Sequence, residues 1–435
     1  MIPVFPQEIY NEVIGYLKDN PRALKATALT CRSFVHVSQR HQFSRVVVRP
    51  SFPFSVSLPY EFTCIMACCN PPVARLKKLL DDSPHIGRYI EDLELLLCRD
   101  RYQWDGWTSF LEFCLPHISK LQTLSVKAEL TGFKSEDGCV IGPPEDNNGV
   151  DRIMKAFRDT LQLPSFRCLQ AYHFDISPFV SYCRHLKEIR LSIPAELIAL
   201  YDNSADSDPI FLEALRLEIS DDSKSSDDII QDIFLNQGVS LAKLKRLSRI
   251  DPGWYDPYPI MDELCDILEE CQETLEFLEL KVRITDEELD TLKQRKIELP
   301  SLRVLHVHLC CGPFIWTSPE NEANVITALT DLCCSNDSRT SQLECLMLMA
   351  ENVNWQCEHI GNLIVEILSD RVRFPNFKKL SWDFGCHLSL ARSLVGLIFT
   401  DEDVTIPFEM VIKIGVTWCV SIKPFITLRD QVKGR

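Results

Sequence analysis

The apolar positions of this chain fall into two regimes. Over the first 50 residues they follow helical spacing, as Ile9, Val13, Ile14 and Leu17 and then as Leu24, Ala28, Leu29 and Cys31. That recurrence lines one face of a helix. Pro6 is tolerated in a first turn, and Asn20 followed by Pro21 reads as an N-cap and a first helical residue. Val35 to Phe43 predicts a third short helix, and Val46-Val47-Val48 a strand ended by Arg49-Pro50. Prolines, serines and aromatics over residues 50–60 mark a linker or ordered loop.

From about residue 86 the pattern changes to apolar-x-x-apolar-x-apolar. Copies are Ile90-Glu-Asp-Leu93-Glu-Leu95, Leu121-Gln-Thr-Leu124-Ser-Val126, Leu186-Lys-Glu-Ile189-Arg-Leu191, Leu212-Glu-Ala-Leu215-Arg-Leu217, Leu275-Glu-Phe-Leu278-Glu-Leu280, Leu302-Arg-Val-Leu305-His-Val307 and Leu343-Glu-Cys-Leu346-Met-Leu348. Phe166, Leu244-Lys-Arg-Leu247 and Phe377-Lys-Lys-Leu380-Ser-Trp382 begin looser ones. The starts lie 20 to 45 residues apart, about 32 on average, a period that points to a solenoid. The two alternating residues at the end of each copy face one side of a short strand, and the first anchors the turn into it. Stacked copies predict a parallel sheet over a continuous core. Outward-facing strand positions include Glu94, Arg216, Glu279, His306 and Met347.

Helices are expected to return the chain between strands. Met261 to Cys271 carries Leu264, Ile267, Leu268 and Cys271 at helical spacing; Thr285-x-x-Glu288 reads as a capping box before Leu289 and Leu292; Ser318-Pro319 opens a stripe of Val325, Ile326, Leu329 and Leu332. Residues 134–151, 202–209 and 220–228 read as loops. Val404 to Ile414 and Val416 to Ile422 predict two strands that cap the sheet. An ordinary α/β domain with a parallel sheet also explains the alternation, though not ten similar starts.

Composition adds bounds. The 435 residues are 46% hydrophobic and 25% charged, as in an average globular protein. No apolar run reaches the length of a membrane helix, and the first residues lack the basic start and apolar stretch of a signal peptide. A cytoplasmic or nuclear location follows as an expectation. The 19 cysteines sit irregularly inside apolar patterns, which reads as reduced small hydrophobes rather than a disulfide framework. Cys64, Cys68 and Cys69 belong to that core reading. The net charge of −16 argues against a nucleic-acid binder. Residues 1–50 hold seven Lys/Arg against three Asp/Glu, a local +4, so the remainder sums to −20.

Motifs for catalysis are missing: no phosphate loop, no G-x-S-x-G elbow, no H-E-x-x-H. The expectation is no catalytic residue, no cofactor and no metal site. The nearest metal-like group is His306-x-His308-x-Cys310, which alternation puts on one strand face. Zinc cysteines usually come in C-x-x-C pairs, so these residues read better as partly exposed strand positions.

The head, from Phe5-Pro6-Gln7-Glu8-Ile9 through Cys31-Arg32-Ser33-Phe34, resembles an F-box. A typical member begins Leu-Pro-x-Glu-Ile and ends near Leu-Val-Cys-Arg-x-Trp; this chain departs from it at Phe5, Thr30 and Phe34. Asn20-Pro21-Arg22-Ala23-Leu24 and Cys31-Arg32-Ser33 are also similar to the large F-box families of mushroom-type fungi. Residues 86–385 resemble a loose leucine-rich repeat, without the usual Asn or Cys that ends the strand turn. These resemblances imply an α/β fold: a helical F-box-like head at 1–50, a linker and first helix at 51–85, an irregular leucine-rich-repeat-like solenoid with a parallel sheet at 86–400, and cap strands at 401–435. They further imply a substrate-recognition adaptor of a cullin-type (SCF) ubiquitin ligase, with no bond chemistry of its own and no nucleic-acid or membrane partner. The Skp adaptor would meet Phe5, Pro6, Ile9, Leu17, Leu24, Leu29, Cys31 and Phe34, rimmed by Lys25, Arg32 and Arg40, and the concave strand face would hold a client protein. The alternative is an interaction scaffold or sensor whose head is a degenerate cap.

Overall fold

The computed structural model of the chain describes residues 6–48, 71–98, 110–129, 155–172, 180, 182–193, 209–219, 238–250, 260–281, 286–310, 327–334, 340–351, 366–383, 408–414 and 418–422. It is mixed α/β, with a large parallel sheet and helices. Two compact units divide it: Met1–Ile210 with Asn236–Gly238, and Phe211–Leu235 with Val239–Arg435.

The first unit begins with three helices, α1 (Gln7–Gly15), α2 (Pro21–Thr30) and α3 (Arg32–Phe43). Asn20 caps α2 by accepting the Ala23 N–H at 3.1 Å, ahead of Pro21, whose missing N–H costs nothing there. Ile14, Leu24 and Val37 form a small core, flanked by Leu17 and Phe34. α3 starts at Arg32, before the apolar periodicity does, because Cys31 is extended and breaks the chain between the helices. Strand β1 (Arg45–Val48) follows at once. Helix α4 (Pro71–Asp82) and a 3-10 turn (Pro84–Tyr89) lead into β2 (Asp92–Cys98), β3 (Thr123–Glu129), β4 (Cys168–Tyr172) and β5 (Glu188–Ile193). β1 to β5 pair in chain order, all parallel. His36 of α3 meets Tyr89 edge-on, ring centroids 5.2 Å apart, and Arg40 reaches Glu91 at 3.3 Å. A Cβ on Gly87 would lie 2.2 Å from the His117 carbonyl oxygen, so only glycine lets the 3-10 turn approach that backbone.

The second unit begins at Phe211, inside the two-residue strand β6 (Ile210–Phe211), which makes a separate small sheet with β8 (Val239–Ser240). The main strands are β7 (Ala214–Ile219), β9 (Arg246–Ile250), β10 (Phe277–Lys281), β11 (Val304–Cys310), β12 (Cys345–Glu351), β13 (Lys379–Asp383) and β14 (Glu409–Ile414), again parallel and in order. β15 (Trp418–Ile422) turns back antiparallel on β14. Helix α5 (Ile260–Cys271) precedes β10 and α6 (Asp286–Arg295) precedes β11. Leu264, Ile267, Leu268 and Cys271 of α5 are all buried, as their spacing predicts.

Every apolar position of the recurring motif is buried, from Ile90, Leu93 and Leu95 to Phe377, Leu380 and Trp382. The register stacks them into columns: Leu93, Leu124, Leu169 and Ile189 in the first unit, and Leu215, Leu247, Leu278, Leu305, Leu346, Leu380 and Met410 in the second. The turns into β2 to β5 and β9 to β13 have their own ladder. One carbonyl accepts two consecutive N–H groups from the next strand's entrance: Ser44 from Glu91 and Asp92, Glu91 from Gln122 and Thr123, Lys245 from Glu276 and Phe277, Glu276 from Arg303 and Val304, Arg303 from Glu344 and Cys345. The anchor closes a tight turn, as Leu244 N–H donates to Leu241 O and Leu302 N–H to Leu299 O. Hydroxyls just before the anchor tie neighbouring turns together: Ser165 donates to Leu121 O at 2.9 Å and Thr274 to Leu244 O at 2.9 Å. Buried backbone groups at these turns are thereby satisfied.

Residues 134–151 and 220–228, the cysteines at 64, 68 and 69, and Thr285 and Ser318-Pro319 lie outside the described residues, as does all but position 209 of 202–209. Glu94 departs from the outward-facing expectation: it lies on that face but is only 7% exposed, because flanking strands place Arg45 and Lys127 over it, each 3.0 Å away.

Candidate functional site

On the head, local sequence decides what is left uncovered. α1 turns Ile14 inward and leaves Ile9 and Val13, with Tyr16 just after it, facing out at 44%, 57% and 80% exposure; Leu29 near the end of α2 is 82% exposed. Positions 9, 13 and 16 fall on one helical stripe. Seven large apolar side chains are exposed among the described residues, and these are four of them. The stripe on α1 makes a candidate interaction surface, whereas single exposed apolar residues need no explanation. Exposed Lys18, Arg22, Lys25 and Arg32 share the two helices and their flanks.

The sequence-derived contact residues therefore sort into three groups. Pro6, Ile9, Leu29 and Cys31 are exposed. Leu17 and Phe34 are half-buried against the head core, Phe34 also meeting Tyr10 with ring centroids 5.1 Å apart. Leu24 is wholly buried in the head's own core and presents no surface. Phe5 lies outside the described residues. Val13 and Tyr16, exposed on the same stripe, are absent from that set, although the spacing from Ile9 announces them. At Cys31 the Ser33 backbone N–H, then its hydroxyl, pull the thiol below its ordinary range, as expected where a helix begins. Burial pushes other thiols up, Cys114 and Cys271 to about 12 and Cys168 and Cys265 to about 11.

The outward strand face carries two built polar clusters. In the first unit Glu94 bridges Arg45 of β1 and Lys127 of β3, and Lys127 lies 4.9 Å from the Tyr172 ring centroid. Burial alone would raise the Glu94 carboxyl, but hydrogen bonds from Lys127 and Arg45 and their charges outweigh it and hold the group below the usual range.

In the second unit Glu279 of β10 gathers three partners. His306 Nδ1 stands 3.1 Å and His308 Nε2 3.3 Å from Glu279 Oε1, while the Ser248 hydroxyl of β9 donates to Oε2 at 2.6 Å. The imidazoles lie with ring centroids 4.3 Å apart. These hydrogen bonds, His306 first and then His308, hold the Glu279 carboxyl far below the usual range. The ligand atoms of Glu279, His306 and His308 all lie within 4.8 Å of one another. The His-x-His spacing was legible in the sequence. Its carboxylate comes from the adjoining strand, where the register sets Glu279 beside His306; the side chain of Cys310 lies outside the described residues.

Among the described residues no helix is long and apolar enough to cross a membrane. Comparison with known families and with curated proteins found no match to this chain.

Proposed function

We propose that the chain is a substrate-recognition adaptor of a cullin-type (SCF) ubiquitin ligase, its F-box-like head docking the Skp adaptor and a leucine-rich-repeat-like solenoid binding a client protein. The observation that carries this reading is the uncovered stripe of Ile9, Val13 and Tyr16, with Leu29 also exposed, on a head of net charge +4 in an otherwise acidic protein. Apolar surface on a net-basic head suits a partner with an apolar groove and an acidic border. Short helices with so small a core gain from covering such a surface. The recurring motif, its buried columns and its repeated turn ladder support the solenoid, whose outward strand positions would meet the client. The ligase would then work by proximity, raising the local concentration of client lysines at the charged conjugating enzyme.

The test is capture of the full chain by purified Skp adaptor. Ile9→Asp and Leu29→Asp alter exposed positions, so each leaves thermal unfolding almost unchanged. Each is expected to weaken capture about thirtyfold or more, the scale of an interface hot spot. No capture of the wild-type chain overturns the ligase reading and leaves a scaffold with a degenerate head; capture undiminished in both variants overturns this contact surface.

A further inference from the structure

We propose that Glu279, His306 and His308 form a binding site for a first-row divalent transition ion, with zinc the best fit. The site stands independently of the ligase reading.

The donor set is two imidazoles and one carboxylate, the combination that holds zinc with three protein ligands and leaves a fourth position open. Two of its donor separations match a tetrahedral site, and the third lies within 4.8 Å. Zinc bonds to nitrogen and oxygen are about 2.0–2.2 Å, so neighbouring donors of a tetrahedral site stand about 3.3 Å apart. His306 Nδ1 and His308 Nε2 lie 3.1 and 3.3 Å from Glu279 Oε1. An ion seated among these atoms replaces the imidazole protons that now point at the carboxylate. It needs only small side-chain shifts, because all three residues sit on paired strands rather than on loops.

The surroundings favour a small, fixed site. Ser248 donates to the other carboxylate oxygen, which orients Glu279 as an outer-shell partner does around a bound ion. Among the described residues Nδ1 of His308 is buried with no hydrogen-bond partner, so this ring's polar contact is made through Nε2, on the side of the proposed ion. On the next strand Met347 and Met349 stand in register with His306 and His308, placing uncharged thioethers rather than rival carboxylates on that flank. The site is half-buried, which leaves the fourth position to water or to an incoming ligand. No cysteine is required, so the absence of a C-x-x-C pair does not count against it.

Chelator-treated full-length protein titrated with zinc chloride tests the site. The expected result is saturable binding of about one ion per chain, with a thermal midpoint that rises as zinc is added. His306→Gln and His308→Gln are each expected to weaken binding about a hundredfold or more, since even outer-shell changes cost ten- to a hundredfold. No saturable binding, or binding undiminished in the His306→Gln/His308→Gln double variant, overturns the proposal. Should the double variant fail to fold, cobalt(II) added to the wild-type protein decides. A d–d spectrum of nitrogen and oxygen ligands supports the site; thiolate charge-transfer bands, or no spectrum, overturn it.

Discussion

At the scale of single residues, Glu94 shows how a carboxylate survives on a packed strand face. It sits between two cations supplied by neighbouring strands, Arg45 on one side and Lys127 on the other. Its folded form therefore releases its proton more readily than an unfolded glutamate does. Stability from such a group is fully present above the ordinary glutamate value of about 4.3 and is lost as pH falls through that range toward the folded value. Glu94→Gln is expected to cost about 1–3 kcal/mol at neutral pH, the scale of losing hydrogen bonds to a partly buried charge. Chemical denaturation at pH 7 and at pH 3 measures it: the gap between wild type and variant narrows at the lower pH. A gap that stays constant contradicts the account.

At the scale of elements, the column of leucines through the second unit sets stability. Leu278 lies between Leu247 and Leu305 in adjacent strands and is fully buried. Leu278→Ala is expected to cost about 2–5 kcal/mol, read as a lower denaturation midpoint, because close-packed neighbours cannot collapse into the space. The six-residue motif was legible in the sequence for a plain reason: the strand period of two and the anchor three residues earlier put all three apolar residues under one burial constraint. α5 was equally legible, since four of its buried residues recur at helical spacing, and so were β14 and β15. Less legible was anything set by pairing between strands. Leu24 reads as a contact residue by resemblance, yet packs inside the head, because a helix of ten residues exposes only one face and Leu24 is on the other. His306 and His308 were visible as an alternating pair, but Glu279 joins them through a register that becomes readable only when motifs are laid side by side. The hydroxyls before the anchors, Ser165 and Thr274, were in plain view and carried a turn signal that apolar patterning ignores.

At the scale of the whole molecule, thiol chemistry tests the proposed docking. Among the described cysteines Cys31 is exposed with a lowered pKa, whereas burial raises Cys183 and Cys333. The thiolate is the reacting form. A neutral alkylating reagent is expected to label Cys31 well before either buried residue, read by peptide mass analysis, and prior addition of the Skp adaptor is expected to slow that labelling about tenfold or more. Equal rates with and without the adaptor would place Cys31 outside the contact. The last pairing in the second unit has a consequence of another kind. Parallel strands that each template the next could accept an identical edge from a second molecule, and a head-to-tail contact that does not close grows into a fibre. β15 runs against β14. A strand continuing the direction of β14 would meet β15 antiparallel, and the doubled carbonyl contact that starts each strand would have no parallel edge to build on. The reversal of five residues removes the parallel template at that edge.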